Sequence, residues 1–122
     1  MRPSVLAAAV LLAGCASGPR IAPEVARAEI AEARAAVSQA EQADAATHAP
    51  IALRTARQKV EDATQALAIG QIERADRLAE QAAVDARLAE ARARAVVAET
   101  AVNEVREAIQ ALRDEIERNR AR

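Results

Sequence analysis

Apolar residues recur at alternating spacings of three and four along most of the chain, which is the spacing of an amphipathic helix. The first such stripe predicts a helix from Pro23 to about Asp44. Proline is tolerated at the first position of a helix, and Glu24 suits the positive end of the helix dipole. The stripe consists of Ala26, Ile30, Ala33, Val37 and Ala40.

A second helix is predicted from Pro50 to about Ile69, after a turn at residues 45–49. Pro50 biases the residue before it away from the helical conformation, so that a helix begins at the proline. Gly70 can end this helix because glycine adopts the left-handed cap conformation without steric cost. The stripe of the first helix is repeated here by Leu53, Ala56, Val60, Ala63 and Leu67.

A third helix begins near Gln71 and meets no proline or glycine before the last residue. It is predicted to run for about 48 residues, or roughly 70 Å. The seam of its first half is almost wholly alanine: Ile72, Ala75, Ala79, Ala82, Ala86, Ala89, Ala93 and Val96, with Leu78 and Leu88 at its flanks. The seam of its second half is Val102, Val105, Ile109, Leu112 and Ile116, and it is out of phase with the first by about one residue near Thr100. Such a slip indicates a change of partner or of supercoil.

The first two helices are each about 20 residues long, so they can cover only the first half of the third. A bare apolar stripe on a long helix is typical of association. We therefore expect an oligomer or partner contact through Val105, Ile109, Leu112 and Ile116. The alternative is that the third helix breaks near Val102–Asn103 and folds back as a fourth helix.

The predicted fold is all-α: an antiparallel helical hairpin packed on a long third helix that has a coiled-coil-like C-terminal extension. The helical domain would span residues 23–101, and the extension residues 102–122. Alanine supplies 36 of the 122 residues and there is no Phe, Tyr or Trp, which favours thin helices packed through small side chains.

The charges of the chain nearly cancel, with a formal net charge of −1. Arginines lie among acidic residues, and Arg57 is spaced to pair with Glu61 on the outside of the second helix. Nucleic acid requires a concentrated basic face, and none is visible in the sequence. We therefore expect no nucleic-acid partner.

The N-terminus combines Arg2 with an uncharged run at residues 5–12. Eight residues are too few to span a bilayer, which needs about 20, but they fit the apolar region of a secretory signal. The run ends in Leu12, Ala13, Gly14 and Cys15, and these four residues resemble the lipobox of bacterial lipoproteins.

The lipobox resemblance implies cleavage between Gly14 and Cys15, a diacylglyceryl group on the Cys15 thiol and acylation of the new amine. Residues 1–14 would then be a cleaved signal peptide, and residues 15–22 a lipidated cysteine with its tether to the bilayer. The alternative is a free or buried cysteine after an ordinary signal. The residue after the cysteine is Ala16, and in Gram-negative lipoproteins the absence of Asp there implies the outer membrane.

The chain is also similar, over about residues 23–102, to alanine-rich bacterial lipoproteins of the domain of unknown function 4398 family. The resemblance rests on Ala49-Pro50 before Leu53 and Ala56-Arg57, on the glycine turn at residues 68–71, and on the run at residues 75–91. Many members carry an aromatic residue before the Ala-Pro pair, whereas this chain has Thr47-His48. The family has no settled activity, so the resemblance implies a fold and a location only.

The sequence lacks the groups of residues that catalysis requires. His48 is the only histidine, and Asp44 is its sole neighbour at a plausible spacing for a metal. Ser38 has no histidine at helical spacing, and Gly70 is the only glycine after residue 18, so no phosphate loop can form. We expect no catalytic, cofactor or metal site, and the chain is predicted not to be an enzyme.

Two hypotheses of function remain. In the first, the chain is a membrane-anchored periplasmic lipoprotein that acts as a structural or interaction module of the cell envelope through helical packing. In the second, it is a periplasmic module, similar to helical-repeat proteins, that binds a peptide or small ligand. The absence of aromatic anchors argues against the second hypothesis.

Overall fold

The computed structural model describes residues 21–122, and about 90% of it is helical, with no strand in that range. The elements are α1 (Pro23–Gln42), α2 (Ala45–His48), α3 (Pro50–Ala68) and α4 (Ile72–Arg120). The predicted all-α architecture, a hairpin packed on one long helix, is confirmed. The anchor residues Leu12 to Cys15, and most of the predicted tether, lie outside the described residues.

The turn between α1 and α3 differs in detail from the prediction. Helix α1 ends at Gln42, two residues earlier than expected, because Asp44 adopts the left-handed conformation with φ of 60°. The Thr47 hydroxyl donates to the Asp44 carboxylate at 2.9 Å, and the turn closes into the single helical turn α2. The carboxylate therefore stabilises a local conformation that has no signal in the apolar pattern.

The turn between α3 and α4 is built on Gly70, as predicted. Gly70 has φ of +78°, its N–H donates to the carbonyl of Leu67 at 3.1 Å, and the Gln71 N–H donates to the carbonyl of Ala66 at 2.9 Å. This pair of hydrogen bonds is the Schellman motif, which satisfies carbonyls at the end of a helix. The motif reverses the chain and sends α4 back along α3.

The core of the bundle is made almost entirely of alanine. Helices α1 and α4 run parallel and α3 antiparallel to both, so that Ala26 lies near Ala75 at one end and Ala40 near Ala93 at the other. Leu53 is the only large side chain that is fully buried in the described chain. Small side chains allow close approach of helix axes, and interaxial distances depend on the side chains in contact.

Ion pairs at the edges of this core link different helices. Arg57 contacts Glu41 of α1 at 2.6 Å, rather than the predicted Glu61 one turn away on its own helix. Lys59 of α3 contacts Asp85 of α4 at 2.7 Å, and both side chains are mostly buried. Arg87 of α4 pairs with Glu32 of α1. These pairs fix α4 laterally against its two neighbours.

Helix α4 is continuous over its 49 residues, so the predicted long helix is confirmed and the alternative of a break near Val102–Asn103 is wrong. Ala93 is its last buried residue, and every residue after it is exposed. At 1.5 Å per residue, α4 extends about 40 Å beyond the bundle.

We predict that Gly70→Ala destabilises the protein by about 1–2 kcal/mol, the cost of placing an L-residue in the left-handed region. A Cβ at residue 70 would meet nothing within 4 Å, so the whole effect is conformational. Urea denaturation should show a lower midpoint with an unchanged slope. Gly70→Asn should cost less, because asparagine tolerates this conformation. Equal stability of all three proteins would contradict the prediction.

We also predict that Ala86→Leu destabilises the bundle by about 1–3 kcal/mol, the typical cost of overpacking a close-packed core. Ala86 is 0% exposed between α1 and α3. The matched control is Ala111→Leu on the exposed part of α4, which should leave the thermal midpoint of the bundle unchanged. If both variants behaved alike, the alanine contacts would not be close-packed.

Candidate functional site

The predicted contact residues lie together on one face of the exposed part of α4. Their side chains remain accessible to solvent: Val105 is 58% exposed, Ile109 44%, Leu112 64% and Ile116 51%. No described residue of α1, α2 or α3 covers them. Four large aliphatic residues therefore form an apolar strip with no partner among residues 21–122.

This apolar strip extends further toward the N-terminus of α4 than the four predicted contact residues. Stepping back from Val102 by alternating four and three residues gives Ala98, Ala95, Ala91, Leu88 and Val84, and each of these is exposed. Val84 is 60% exposed and Leu88 42%. We call the ten positions the outer stripe: Val84, Leu88, Ala91, Ala95, Ala98, Val102, Val105, Ile109, Leu112 and Ile116.

The outer stripe and the buried seam are two faces of one helix. From Val84 to Ala95 each outer position follows a buried one by two residues, as Val84 follows Ala82 and Leu88 follows Ala86. Two residues correspond to about 200° around an α-helix, which is the opposite side. The two seams that the sequence places on either side of Thr100 therefore overlap along α4, because the outer stripe begins at Val84 and the buried seam ends at Ala93.

The outer stripe is about 48 Å long and is followed by a polar residue at each end. The next position of the same repeat is Gln81 on one side and Asn119 on the other. The sustained alternation of three and four over more than four heptads is the pattern of a coiled-coil seam. Counting the repeat backward from Val102 would have revealed it in the sequence, but the three central alanines resemble those of the buried seam.

Charged residues flank the outer stripe and pair along the helix. Arg94 contacts Glu90 at 2.6 Å, and Arg118 contacts Glu115 at 2.6 Å. The side chain of Arg94 is 72% exposed and that of Glu115 is 54% exposed, so both can exchange partners. Exposed pairs of this kind contribute only about 0.3–0.5 kcal/mol each, and they do not compensate for the exposed apolar surface.

An open cleft of about 820 Å³ lies where α4 leaves the bundle. The turn after α1 forms one wall through Gln42 and Asp44, and α4 forms the other through Arg94, Val97 and Ala101. His48 is half-buried beside this turn, with its Nε2 3.7 Å from the Asp44 carboxylate. The cleft is polar on one wall and shallow, with no aromatic residue in the chain to anchor a ligand.

An acidic group lies at the other end of the bundle, between α1 and α4. Asp76 is 8% exposed, and its Oδ1 has no hydrogen-bond partner among the described residues. Partial burial raises the pKa of Glu29, and the negative charges of Glu32, Asp76 and Glu80 raise it further, whereas Arg87 opposes them. These carboxylates do not form a metal site, since residues 21–122 contain no group of three suitable ligands.

None of the helices in residues 21–122 is both long and apolar enough to cross a membrane. Helix α4 has the length, but charged residues interrupt it throughout.

The family model described as Domain of unknown function (DUF4398) matches residues 28–105. Because the match covers more than half of the chain, the protein belongs to this family, as the sequence resemblance indicated. No curated protein and no solved structure matches the chain. The matched region contains most of α1, all of α2 and α3, and the outer stripe as far as Val105.

We predict that Glu29→Gln raises the stability of the bundle at neutral pH. A carboxyl whose pKa is raised by folding favours its protonated form in the folded state. Its ionised form therefore destabilises the fold above the raised pKa, and the penalty disappears as the pH falls below the ordinary value near 4.5.

The measurement is the thermal midpoint of wild type and Glu29→Gln between pH 3 and pH 8. The gain should be present at pH 7 and vanish toward pH 3. Glu107→Gln, on the exposed part of α4, is the control and should show no such dependence. A gain that stayed constant across the range would contradict the assigned cause.

Proposed function

We propose that this protein is a lipid-anchored component of the bacterial cell envelope that acts as a helical interaction module. Cys15 carries the acyl chains, residues 16–22 form the tether, and the bundle presents α4 to a protein partner. The location that fits the lipobox and Ala16 is the periplasmic face of the outer membrane. The observation that carries the interaction role is the outer stripe, which remains exposed along a rigid helix.

The anchor follows from the energetics of acyl chains. Each buried methylene contributes about 0.8 kcal/mol, and stable attachment needs at least two chains. A diacylglyceryl group on Cys15 with a further acyl chain on its amine meets this requirement. The described helices offer no spanning segment, so in this proposal the lipid alone holds the chain to the membrane.

The interaction role follows from the surface of α4. A contiguous apolar surface of this length, rimmed by charged residues, is typical of an interaction site. The bundle does not need the outer stripe, since its own contacts lie on the opposite face of α4. The role of the bundle in this proposal is to fix α4 as a helix and to present its free face.

We predict that Cys15→Ser releases the protein from the membrane. Mass spectrometry of the wild-type protein should find an N-terminal Cys15 carrying a diacylglyceryl group and one further acyl chain. The variant should carry neither and move from the membrane to the soluble fraction. Ser17→Ala is the control and should remain membrane-bound. An unmodified Cys15 thiol on the mature wild-type chain would refute the anchor.

The interaction role is tested in cells by replacing Ile109 with the photoreactive p-benzoylphenylalanine, and Ala111 in a parallel strain. Ile109 lies on the outer stripe, and Ala111 lies on the other side of the same helix turn. Irradiation should produce a protein adduct at position 109 only. No adduct at 109, or equal adducts at both positions, would refute a partner on the outer stripe.

The second candidate function is the binding of a small ligand or peptide, and the cleft beside Asp44 and Arg94 is the observation that favours it. Native mass spectrometry of the purified protein would then show an additional non-lipid mass. The mass should be lost in Arg94→Glu and retained in Arg74→Glu, which is remote from the cleft. Absence of such a mass from the wild-type protein argues against this function.

A further inference from the structure

We propose that the partner of the outer stripe is a second copy of this chain, and that the two copies of α4 form a parallel two-stranded coiled coil. This inference rests on the proposed interaction role and names its partner. Four features of α4 favour this pairing: the other described helices leave the stripe uncovered, the residue types suit a dimer, the flanking charges match, and the bundle leaves room.

The described helices and the N-terminal apolar run do not cover the outer stripe. Helices α1 and α3 are already engaged on the opposite face of α4, and α4 continues to Arg120 without folding back. The remaining apolar segment is residues 5–12. Eight residues span about 12 Å as a helix and about 26 Å fully extended, against a stripe of about 48 Å. Neither the described helices nor residues 5–12 therefore cover the stripe, and a second copy of α4 has the length to do so.

The residue types at the seam positions select two parallel strands. With Val102 assigned to heptad position a, the a positions of the exposed part of α4 are Val102, Ile109 and Ile116, all of which are β-branched. The d positions after Ala98 are Val105 and Leu112. β-branched residues at a, together with leucine at d, favour parallel dimers, and the three a residues and Leu112 fit this rule whereas Val105 does not.

The flanking charges of the extension complement those of an identical parallel chain. In a parallel dimer each g residue faces the e residue five positions later in the partner chain. Arg94 would face Glu99 of the other copy, and Glu115 would face Arg120, in both directions across the two-fold axis. The two g positions between them are alanines, Ala101 and Ala108, so no like charges meet along the extension.

Nearer the bundle, the g–e pairs of a parallel dimer involve charged residues that already form ion pairs within each copy. There the g–e pairs would set Glu80 near Asp85 and Arg87 near Arg92 of the other copy. Asp85, however, contacts Lys59 and Arg87 contacts Glu32 within each bundle. These internal ion pairs neutralise one member of each like-charged pair.

An antiparallel pair that aligns the two outer stripes along their whole length is less well matched at its centre. It would place Glu99 opposite Glu99 of the other copy, and Arg92 opposite Arg106 on both sides of the two-fold axis, which makes three unfavourable contacts in the middle of the interface. Its attractive pairs lie toward the ends, as with Arg87 opposite Glu115, and Arg87 is already engaged by Glu32. The parallel arrangement is therefore the one we infer.

The bundle leaves room for this pairing because α1 and α3 lie behind α4. The outer stripe is about 200° from the buried seam, so a second α4 approaches from the free side and the two bundles face away from each other. The small central residues, Ala91, Ala95 and Ala98, allow the helices to come close where the bundles end.

The oligomeric state is tested by sedimentation equilibrium on the whole chain carrying Cys15→Ser. We expect twice the chain mass of 12.9 kDa. Ile109→Asp should weaken association at least tenfold, because it buries a charge opposite its own copy. Ala111→Asp, on the other side of the helix, should remain dimeric. Circular dichroism should show that the bundle stays folded in both variants, since both positions lie beyond Ala93.

The orientation is tested by oxidation of Val105→Cys in the same background. A d position meets its own copy only in a parallel coiled coil, so a disulfide-linked dimer is expected. Val97→Cys, which is equally exposed but lies off the stripe, should not cross-link. A dimer in which residue 105 does not cross-link would overturn the parallel arrangement.

The failure of this inference can be told apart from failure of the proposed function. A monomer at all concentrations, with an adduct of different mass at position 109 in cells, would overturn self-pairing and leave the interaction role intact. An unmodified Cys15 in a chain that still dimerises would refute the anchor alone.

Discussion

Contact between alanine side chains determines the shape of this molecule. A buried alanine contributes one methyl group, whereas a large aliphatic side chain contributes about 1.5–3 kcal/mol on burial. The bundle therefore needs many contacts spread along the helices, and it obtains them from alanines at nearly every inward position of α1, α3 and α4. Small side chains also let the backbones approach closely, which increases the number of favourable van der Waals contacts.

Packing through alanine leaves much of α4 free. A narrow line of contact occupies one side of the helix, and the opposite side can carry a second apolar stripe without disturbing the first. The bundle also supplies the nucleus of α4. Initiating a helix in water is unfavourable, whereas extending an existing one is nearly neutral per residue. The extension beyond Ala93 can therefore remain helical although nothing in the described chain packs against it.

The bounds of the helices were predictable because the residues that set them have strong local preferences. Pro50 begins α3 and Gly70 ends it whatever surrounds them. The left-handed Asp44 was not predictable, since many residue types fit an interhelical turn. Arg57 could pair with Glu61 locally or with Glu41 across the bundle, and only the three-dimensional packing decides between them.

The exposed apolar face of α4 was predictable only in part, for a different reason. Val105, Ile109, Leu112 and Ile116 are large enough to indicate a contact, and the structure places them on one exposed face. The N-terminal half of the same stripe passes through alanines, and an alanine fits a core and a surface equally well. Sequence periodicity alone therefore does not show that Ala91 belongs to an exposed stripe. The outer stripe can be recognised only when the contacts of α1 and α3 show which face of α4 is buried.

The direction of the helices connects the two proposals. Because α1 and α4 run parallel, the proposed tether would join the bundle at the end opposite the C-terminal tip of α4. An acylated Cys15 would hold that end near the bilayer, with the tip directed away from it. In a parallel pair both anchors lie on the same side and reach one membrane, whereas an antiparallel pair would separate them by most of the length of α4, about 70 Å. Two chains held in one membrane also meet at a raised effective concentration, so that a modest affinity between the outer stripes suffices for pairing.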